Sequence, residues 1–80
     1  MNDTIIRRVL AEHAQLAVGV DSLGSGEDLY AAGLTSHATV NVMLALEDEL
    51  GFQFPEHLLR RSTFQSIVAL GEAVQEAIGA

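Results

Sequence analysis

The chain of 80 residues has no cysteine, no lysine and no tryptophan, and aromatic residues make up only 5% of it. Without cysteine it can form neither disulfide bonds nor thiolate–metal sites. His13, His37 and His57 lie in separate segments with no i, i+4 pair, so we expect no metal site. No apolar run approaches the roughly 20 residues of a membrane span, and the first residues lack the basic-then-apolar order of a signal peptide. We therefore expect a cytoplasmic protein without a membrane partner.

Positive charge is also scarce. Four arginines stand against 11 aspartates and glutamates, which gives a net charge of −7. Nucleic-acid binding requires clustered positive charge that displaces counterions from phosphates, so we expect no nucleic-acid partner. The acidic charge favours protein partners with basic surfaces. The alternative is that this charge only keeps the protein soluble.

Apolar residues, 49% of the chain, recur at three- and four-residue spacing, which predicts helices. We expect a first helix over residues 3–18, stopped by Gly19, and a second over residues 36–51. His13 falls within the apolar stripe of the first helix and is expected to be partly buried. The complete stripe is Ile6, Val9, Leu10, His13, Leu16 and Ala17.

Two further helices are expected near the end of the chain. A short one covers residues 55–60, with Pro55 in its first turn. The last one begins at Ser62, which forms a capping-box pattern with Gln65. Its predicted core stripe is Phe64, Ile67, Val68, Gly71, Val74 and Ile78.

These elements predict an all-α fold, a small four-helix bundle with three long helices and one short helix. We expect a single domain over residues 1–80, present as a monomer. The connection between the first two helices, VDSLGSGEDLYAAGLTS, is long, and a loop of this length in a compact domain is usually functional. Its apolar residues are expected to hold it against the core. They are Leu23, Leu29, Tyr30 and Leu34.

The helix over residues 36–51 carries apolar residues on two sides. At about 100° per residue, one side is suited to the core. That side comprises Thr39, Val42, Leu46 and Leu50, with Met43 at its edge. Val40 and Leu44, which we call the ridge, fall on the other side in line with Ser36. Single exposed aliphatic residues are common, but two in line beside Glu47 and Asp48 indicate a docking surface.

Ser36 has two interpretations. A serine at a helix start usually accepts a hydrogen bond from a free backbone N–H and then needs no other role. Thr35 stands beside it and can cap the helix instead, which would leave the Ser36 hydroxyl exposed at the end of the ridge. A hydrolase pairing with His37 is disfavoured, because neighbours on a helix point about 100° apart and no G-x-S-x-G elbow surrounds the serine. We therefore expect no enzyme.

The segment DLYAAGLTSHATVNVMLALEDELGFQFP resembles the centre of acyl carrier proteins, in which a Gly-x-x-Ser segment opens the second helix. The resemblance extends over nearly the whole chain and includes the STFQSI opening of the last helix. It implies that Ser36 carries 4′-phosphopantetheine, transferred from coenzyme A by a magnesium-dependent phosphopantetheinyl transferase. The arm ends in a thiol that holds the cargo as a thioester, which suits a chain without cysteine.

The resemblance also implies which surface partner enzymes contact. In that family it is the second helix and the loop before it. The partners it implies are the transferase, a loading enzyme and a downstream acyl-transfer enzyme. The residues it assigns to partner recognition are Thr35, His37, Val40, Asn41, Leu44, Glu47 and Asp48. We expect Arg60 and Arg61 at the end of the short helix, where positive charge suits the helix dipole. The alternative is a contact with the phosphate of the arm or with a partner.

One departure from the family pattern bears on the cargo. Where the family usually has Asp-Ser-Leu, this chain has Thr35-Ser36-His37. The segment is most similar to small stand-alone carriers that receive amino acids from ligases related to seryl-tRNA synthetase. The resemblance therefore implies an amino acid:carrier protein ligase as the loading enzyme. The alternatives are a fatty-acid or polyketide acyl carrier protein, and an unmodified helical protein-interaction module.

Overall fold

The computed structural model describes residues 3–79. It contains the helices α1 (Asp3–His13), α2 (Ser36–Leu50) and α3 (Ile67–Gly79). Three 3-10 turns lie in the connections, at Val20–Ser22, Glu56–Leu58 and Arg61–Phe64, and no strand occurs in the described residues. The predicted all-α fold is confirmed, although 3-10 turns replace the short fourth helix. Among residues 3–79, none of the helices has both the length and the apolar character needed to cross a membrane.

The three helices surround a core of aliphatic side chains. The predicted core side of α2 is confirmed at Val42 and Leu46, which are fully buried, while Thr39, Met43 and Leu50 are half-buried. The long loop is anchored as expected, because Leu23, Leu29 and Leu34 are buried and Tyr30 is half-buried. The other helical core residues are Ile6, Val9, Leu10, Ala38, Ile67, Leu70, Ala73 and Val74.

The first helix is shorter than predicted, since α1 ends at His13 and not at residue 18. Gln15 has a φ of 52°, in the left-handed region that a helix cannot continue through. The backbone N–H of Ala17 then donates to the carbonyl of Ala32 at 3.0 Å, which joins the chain to the long loop. Gly33, with a φ of 114°, permits this approach, because a Cβ there would lie 3.1 Å from the Ala17 nitrogen.

Two predictions about individual residues of this region are therefore wrong. Gly19 does not stop the helix, which has already ended six residues earlier. His13 is exposed rather than partly buried, whereas Leu10 and Ala14 on either side of it face the core. Leu16 of the predicted stripe is half-buried, and Ala17 is exposed.

The predicted helix over residues 55–60 is also wrong in extent and type. Pro55 precedes the 3-10 turn Glu56–Leu58 with an extended backbone, at φ −66° and ψ 154°. The turn buries Leu58, and Arg60 is already extended again, with φ −143° and ψ 161°. Arg60 and Arg61 therefore do not lie at the end of a helix that could present a dipole.

The predicted capping box at Ser62 and Gln65 is wrong as well, because α3 begins later. Ser66 occupies the capping position, where its Oγ accepts the N–H of Ala69 at 3.0 Å. The free N–H of Val68 donates to the Ser25 carbonyl at 3.0 Å, so the long loop contributes to the start of this helix.

The later start of α3 changes the face that it buries. Val68 and Ile78 were expected in the core, but they are 47% and 50% exposed. Leu70 and Ala73 take their place in the core, beside the correctly predicted Ile67 and Val74. Phe64 is buried as predicted, although it belongs to the preceding 3-10 turn.

Arg7 holds the long loop on the bundle. Its Nη1 donates to the carbonyl oxygens of Val20 at 2.8 Å and Leu23 at 2.9 Å, and its Nε donates to Asp3 at 2.9 Å. The side chain therefore gives the Leu23 carbonyl a donor and adds a second donor to the Val20 carbonyl, which also accepts the N–H of Leu23. Arg7 thereby joins the first part of the long loop to α1.

Candidate functional site

Thr35, not Ser36, caps the start of α2. Thr35 has an extended backbone, and its Oγ1 accepts the N–H of Ala38 at 3.0 Å. Its carbonyl also accepts the hydroxyl of Thr39 at 2.8 Å. Ser36 is exposed, and within residues 3–79 its hydroxyl takes part in no hydrogen bond. The expectation that Thr35 leaves the Ser36 hydroxyl free is confirmed.

The ridge runs from this end of α2 along its outer side. Val40 is 49% and Leu44 is 52% exposed, so both face solvent as predicted. Val42 and Leu46, two residues further along the helix in each case, have no exposure. The helix therefore has a core side and a separate apolar outer side. Among the residues expected to flank the ridge, His37, Asn41 and Asp48 are exposed.

Glu47 differs from this expectation, because its side chain is already engaged. It is half-buried, and its Oε2 accepts the backbone N–H of Phe54 at 2.9 Å. Its carbonyl accepts the N–H groups of Gly51 and Phe52 at the end of the helix. Gly51 permits this ending because it adopts the left-handed conformation, with a φ of 68°. Glu47 therefore has a structural role at the C-terminus of α2, whereas the Asp48 carboxylate remains exposed.

A groove of about 290 Å³ opens beside Ser36, between α2 and the 3-10 turns that follow it. Its apolar wall includes Val40 and Met43 of α2 and Leu59 of the connecting segment, which is 48% exposed. Arg60 and Arg61 line the same groove. The sequence offered no signal for Leu59 in this position, because it depends on how the segment after α2 folds back over the helix.

The loop and the last 3-10 turn fix the backbone of the two arginines. The Tyr30 hydroxyl donates to the carbonyl of Arg61 at 2.9 Å, and the Arg61 guanidinium lies 3.8 Å from the centre of the Tyr30 ring. In the described part of the chain neither Arg60 nor Arg61 forms an ion pair. The two cations are consequently open to an anion at the groove.

These residues fit a group that is attached through a phosphodiester. Ser36 supplies an exposed hydroxyl with no hydrogen-bond partner among the residues that the structure describes. It lies in the first turn of a 15-residue helix, where the dipole favours a negative charge. Arg60 and Arg61 add positive charge to the adjoining groove. His37 is not placed as a general base for the serine, because neighbours on a helix point about 100° apart.

Comparison with known proteins agrees with this geometry. Residues 5–74 match the family model described as a phosphopantetheine attachment site. The chain is 45% identical over 75 residues to the aminoacyl carrier protein of Agrobacterium fabrum (strain C58), a match that spans 94% of this chain and 89% of that relative.

Two solved structures are also similar. One is the crystal structure of an engineered Bradyrhizobium japonicum glycine:[carrier protein] ligase complexed with carrier protein from Agrobacterium tumefaciens and ATP. The matching chain in that structure aligns with this protein with a TM-score of 0.91 and 41% identity. The alignment covers 95% of this chain and 99% of that chain. The other is the Bradyrhizobium japonicum ligase complexed with glycylated carrier protein. There the TM-score is 0.78, the identity is 30%, and the coverage is 90% of this chain and 96% of that chain.

The resemblance drawn from the sequence is therefore confirmed, for the carrier family and for its aminoacyl type. Proteins of this family carry covalently attached 4′-phosphopantetheine, and they are not themselves catalysts. The chain belongs to the family of carrier proteins with a phosphopantetheine attachment site.

Proposed function

We propose that Ser36 is the attachment site of 4′-phosphopantetheine and that the chain carries an amino acid as a thioester on this arm. The observation that supports the site is the free hydroxyl of Ser36 at the start of α2, with Thr35 as the cap. In the bound arm, the terminal thiol supplies the chemistry that the chain itself lacks. We propose that the protein is a carrier only and has no catalytic activity of its own.

In the attachment step that we propose, the Ser36 hydroxyl is the nucleophile. Its oxygen forms a bond to the phosphorus of coenzyme A that bears the pantetheine. The bond between that phosphorus and the oxygen of the 3′-phospho-AMP half breaks, and the hydroxyl proton is lost to solvent or to the transferase. We propose that a phosphopantetheinyl transferase catalyses the step, since among the described residues the Ser36 hydroxyl has no hydrogen-bond partner that could accept this proton.

The aminoacyl cargo follows from the relatives. The relative with 45% identity is an aminoacyl carrier protein, and similar carriers have been solved with a glycine:[carrier protein] ligase, one of them in glycylated form. We therefore propose an amino acid:carrier protein ligase as the loading enzyme, and a small amino acid such as glycine as the first cargo to test. A downstream acyl-transfer enzyme completes the set of proposed partners.

The proposed recognition surface is the outer side of α2. Val40 and Leu44 supply its apolar centre, and Asp48 supplies exposed negative charge at one end. Thr35, His37 and Asn41 remain proposed contacts, and Glu47 would act by holding the end of the helix in place. A carrier has to leave one enzyme for the next, so a small apolar centre with charged surroundings suits docking that is fast and weak. The flexible arm then raises the effective concentration of the cargo at the docked enzyme.

The predictions of a single domain over residues 1–80, a monomeric state and a cytoplasmic location remain predictions. Exclusion of nucleic acid as a partner also rests on the charge of the chain. Of the alternatives, the unmodified interaction module conflicts with the family match. The fatty-acid or polyketide carrier differs from the proposed carrier only in its cargo, so the cargo has to be tested directly.

The first experiment tests the site by intact mass spectrometry. The wild-type chain, incubated with coenzyme A, magnesium and a phosphopantetheinyl transferase, should gain the mass of phosphopantetheine. Ser36→Ala should gain none. Ser62→Ala, which removes another exposed serine, is the matched control and should be modified like the wild type. Retention of the added mass in Ser36→Ala would show that the arm is attached elsewhere.

The second experiment tests the cargo on the modified protein. One reaction contains ATP, glycine and an amino acid:carrier protein ligase, and the other contains a fatty acid, ATP and an acyl-carrier-protein synthetase. We expect a hydroxylamine-labile product only with the amino acid. A labile product only with the fatty acid would refute the aminoacyl proposal while leaving the attachment site intact.

A further inference from the structure

Arg60 and Arg61 differ from the other two arginines in their partners. Arg7 donates to Asp3 and to two backbone carbonyls, and Arg8 forms an ion pair with Glu49. Within residues 3–79, Arg60 and Arg61 form no ion pair, although the chain has 11 acidic residues. In residues 3–79 the two adjacent cations therefore have no acidic partner and can bind an anion from outside the bundle.

The position of the pair points to a specific anion. Arg60 and Arg61 line the same groove as Ser36. The group proposed for Ser36 brings a phosphodiester to that residue, and this phosphodiester is its only negative charge. Guanidinium groups are well suited to phosphate, because their planar N–H donors match its oxygen atoms.

The backbone that carries Arg60 and Arg61 is anchored to the bundle. Thr63 and Phe64, in the same 3-10 turn as Arg61, are 5% and 3% exposed. Tyr30 contacts Arg61 twice, through its hydroxyl and its ring. The long loop before Ser36 and the turn after α2 are thereby joined next to the attachment site, and the cations are displayed from a fixed backbone.

We infer that Arg60 and Arg61 bind the phosphodiester of the arm and so direct the arm into the groove between α2 and the 3-10 turns. This inference rests on the proposed attachment at Ser36. Met43 and Leu59, on the apolar walls of the groove, then flank the pantetheine. The arm is held at its phosphate end by exposed ion pairs, which are weak and short-lived, so it can still leave the groove when a partner enzyme binds the cargo.

The test uses the full-length protein after attachment of the arm. The variants are Arg60→Gln with Arg61→Gln, the charge-retaining Arg60→Lys with Arg61→Lys, and Arg8→Gln as a control far from the groove in sequence and contacts. Two quantities are measured. The first is the ³¹P chemical shift and line width of the phosphodiester, and the second is the rate at which iodoacetamide alkylates the thiol of the arm. Circular dichroism verifies that each variant is folded.

In the wild type we expect a broadened ³¹P signal and slow alkylation. The double Gln variant should sharpen the signal and speed alkylation about fivefold, as expected for the loss of two exposed ion pairs. The double Lys variant should stay closer to the wild type, Arg8→Gln should match the wild type, and salt should shift the wild type towards the double Gln variant.

Equal ³¹P signals and alkylation rates in the wild type and the double Gln variant would refute the inference. If loading by the ligase nevertheless slowed in that variant, the two arginines would be contacts for acidic groups of the enzyme instead. Failure of the proposed function is recognised separately, because the chain would then gain no phosphopantetheine mass and would show no ³¹P signal.

Discussion

The division of roles between Thr35 and Ser36 can be tested by comparing two neighbouring alanine substitutions. Thr35→Ala removes the oxygen that accepts the Ala38 N–H at 3.0 Å, and loss of such a cap costs about 1 kcal/mol of the free energy of unfolding. Ser36→Ala removes a hydroxyl without a protein partner, and alanine is a better helix former by roughly 0.5 kcal/mol. The two variants should therefore differ in stability by about 1 to 1.5 kcal/mol, with Ser36→Ala the more stable.

The assay is urea unfolding of the unmodified protein, followed by circular dichroism. With a slope of about 1 kcal/mol per molar urea, as for small domains, the midpoint of Thr35→Ala should lie about 1 M below that of the wild type. In thermal unfolding, a change of about 1 kcal/mol corresponds to a shift in Tm of roughly 4–8 °C for a domain of this size. The midpoint of Ser36→Ala should be equal to or slightly above that of the wild type.

The same two variants should behave oppositely towards coenzyme A and the transferase. Thr35→Ala keeps the nucleophile and should still gain the arm, whereas Ser36→Ala should not. A loss of stability in Ser36→Ala as large as that in Thr35→Ala would show that the Ser36 hydroxyl caps α2. The Ser36 hydroxyl would then not be free for attachment of the arm, whatever the result with the transferase.

Three further predictions concern the outer side of α2, the long loop and α3. Leu44→Asp, at a position that is 52% exposed, should slow loading by the ligase severalfold and change the free energy of unfolding by less than about 0.5 kcal/mol. Leu46→Asp, at a buried position, should unfold the domain, and equal behaviour of the two variants would contradict the proposed docking role of the ridge. Arg7→Met should lower the free energy of unfolding by about 2 kcal/mol, because two backbone carbonyls lose a charged donor. Proteolysis within residues 20–35 should also become faster, and an unchanged rate would show that the loop is held by its buried leucines alone. Gly71→Ala should raise the free energy of unfolding by about 0.5–1 kcal/mol, because alanine favours the helix more than glycine does and the added Cβ would meet only Ile6 Cδ1, at an ordinary 3.8 Å. A fall in the urea midpoint would mean that the added Cβ pushes α3 away from Ile6.

The parts of the structure that local chemistry determines were predictable from the sequence. α2 has a threonine cap at its start, a glycine in the left-handed conformation at its end, and an uninterrupted helical pattern between them. The exposure of Val40 and Leu44 followed from the same periodicity, since helical spacing alone separates them from Val42 and Leu46. The sequence alone therefore predicted the exposed serine and the apolar outer side of α2.

The ends of α1 and α3 were not predictable, because contacts distant in sequence decide them. The pattern of α1 continues to residue 18, yet the hydrogen bond between Ala17 and the Ala32 carbonyl draws the chain out of the helix. At α3, Ser62 and Ser66 both precede helical patterns. The N–H of Leu29 donates to the Gln65 carbonyl at 2.7 Å, and this bond with the loop favours the start at Ser66. No local rule could have chosen between the two serines.

The groove beside Ser36 was likewise not predictable, because contacts distant in sequence form it. Its cations lie 24 and 25 residues after the serine, in a segment for which the sequence predicted a helix. The contact between Tyr30 and Arg61 and the burial of Leu58 and Phe64 hold this segment beside the start of α2. Local signals therefore predict that Ser36 is exposed at the start of α2, while the cations of the groove depend on the folding of the connections.

The absence of cysteine protects a thioester that is attached to the same chain. A thioester reacts readily with thiolates, and a flexible arm would bring it to any surface thiol of its own protein at a high effective concentration. Such a transfer would remove the cargo from the arm and leave it on a side chain that partner enzymes do not reach. A chain of 80 residues without cysteine cannot lose its cargo in this way. Introducing one cysteine at an exposed position near the groove, such as Leu59→Cys, should therefore move part of the cargo from the arm sulfur to that side chain, which peptide mass spectrometry of the loaded protein would detect. Leu59→Ser should keep the cargo on the arm, and a cargo that stays on the arm in both variants would show that the arm does not reach this position.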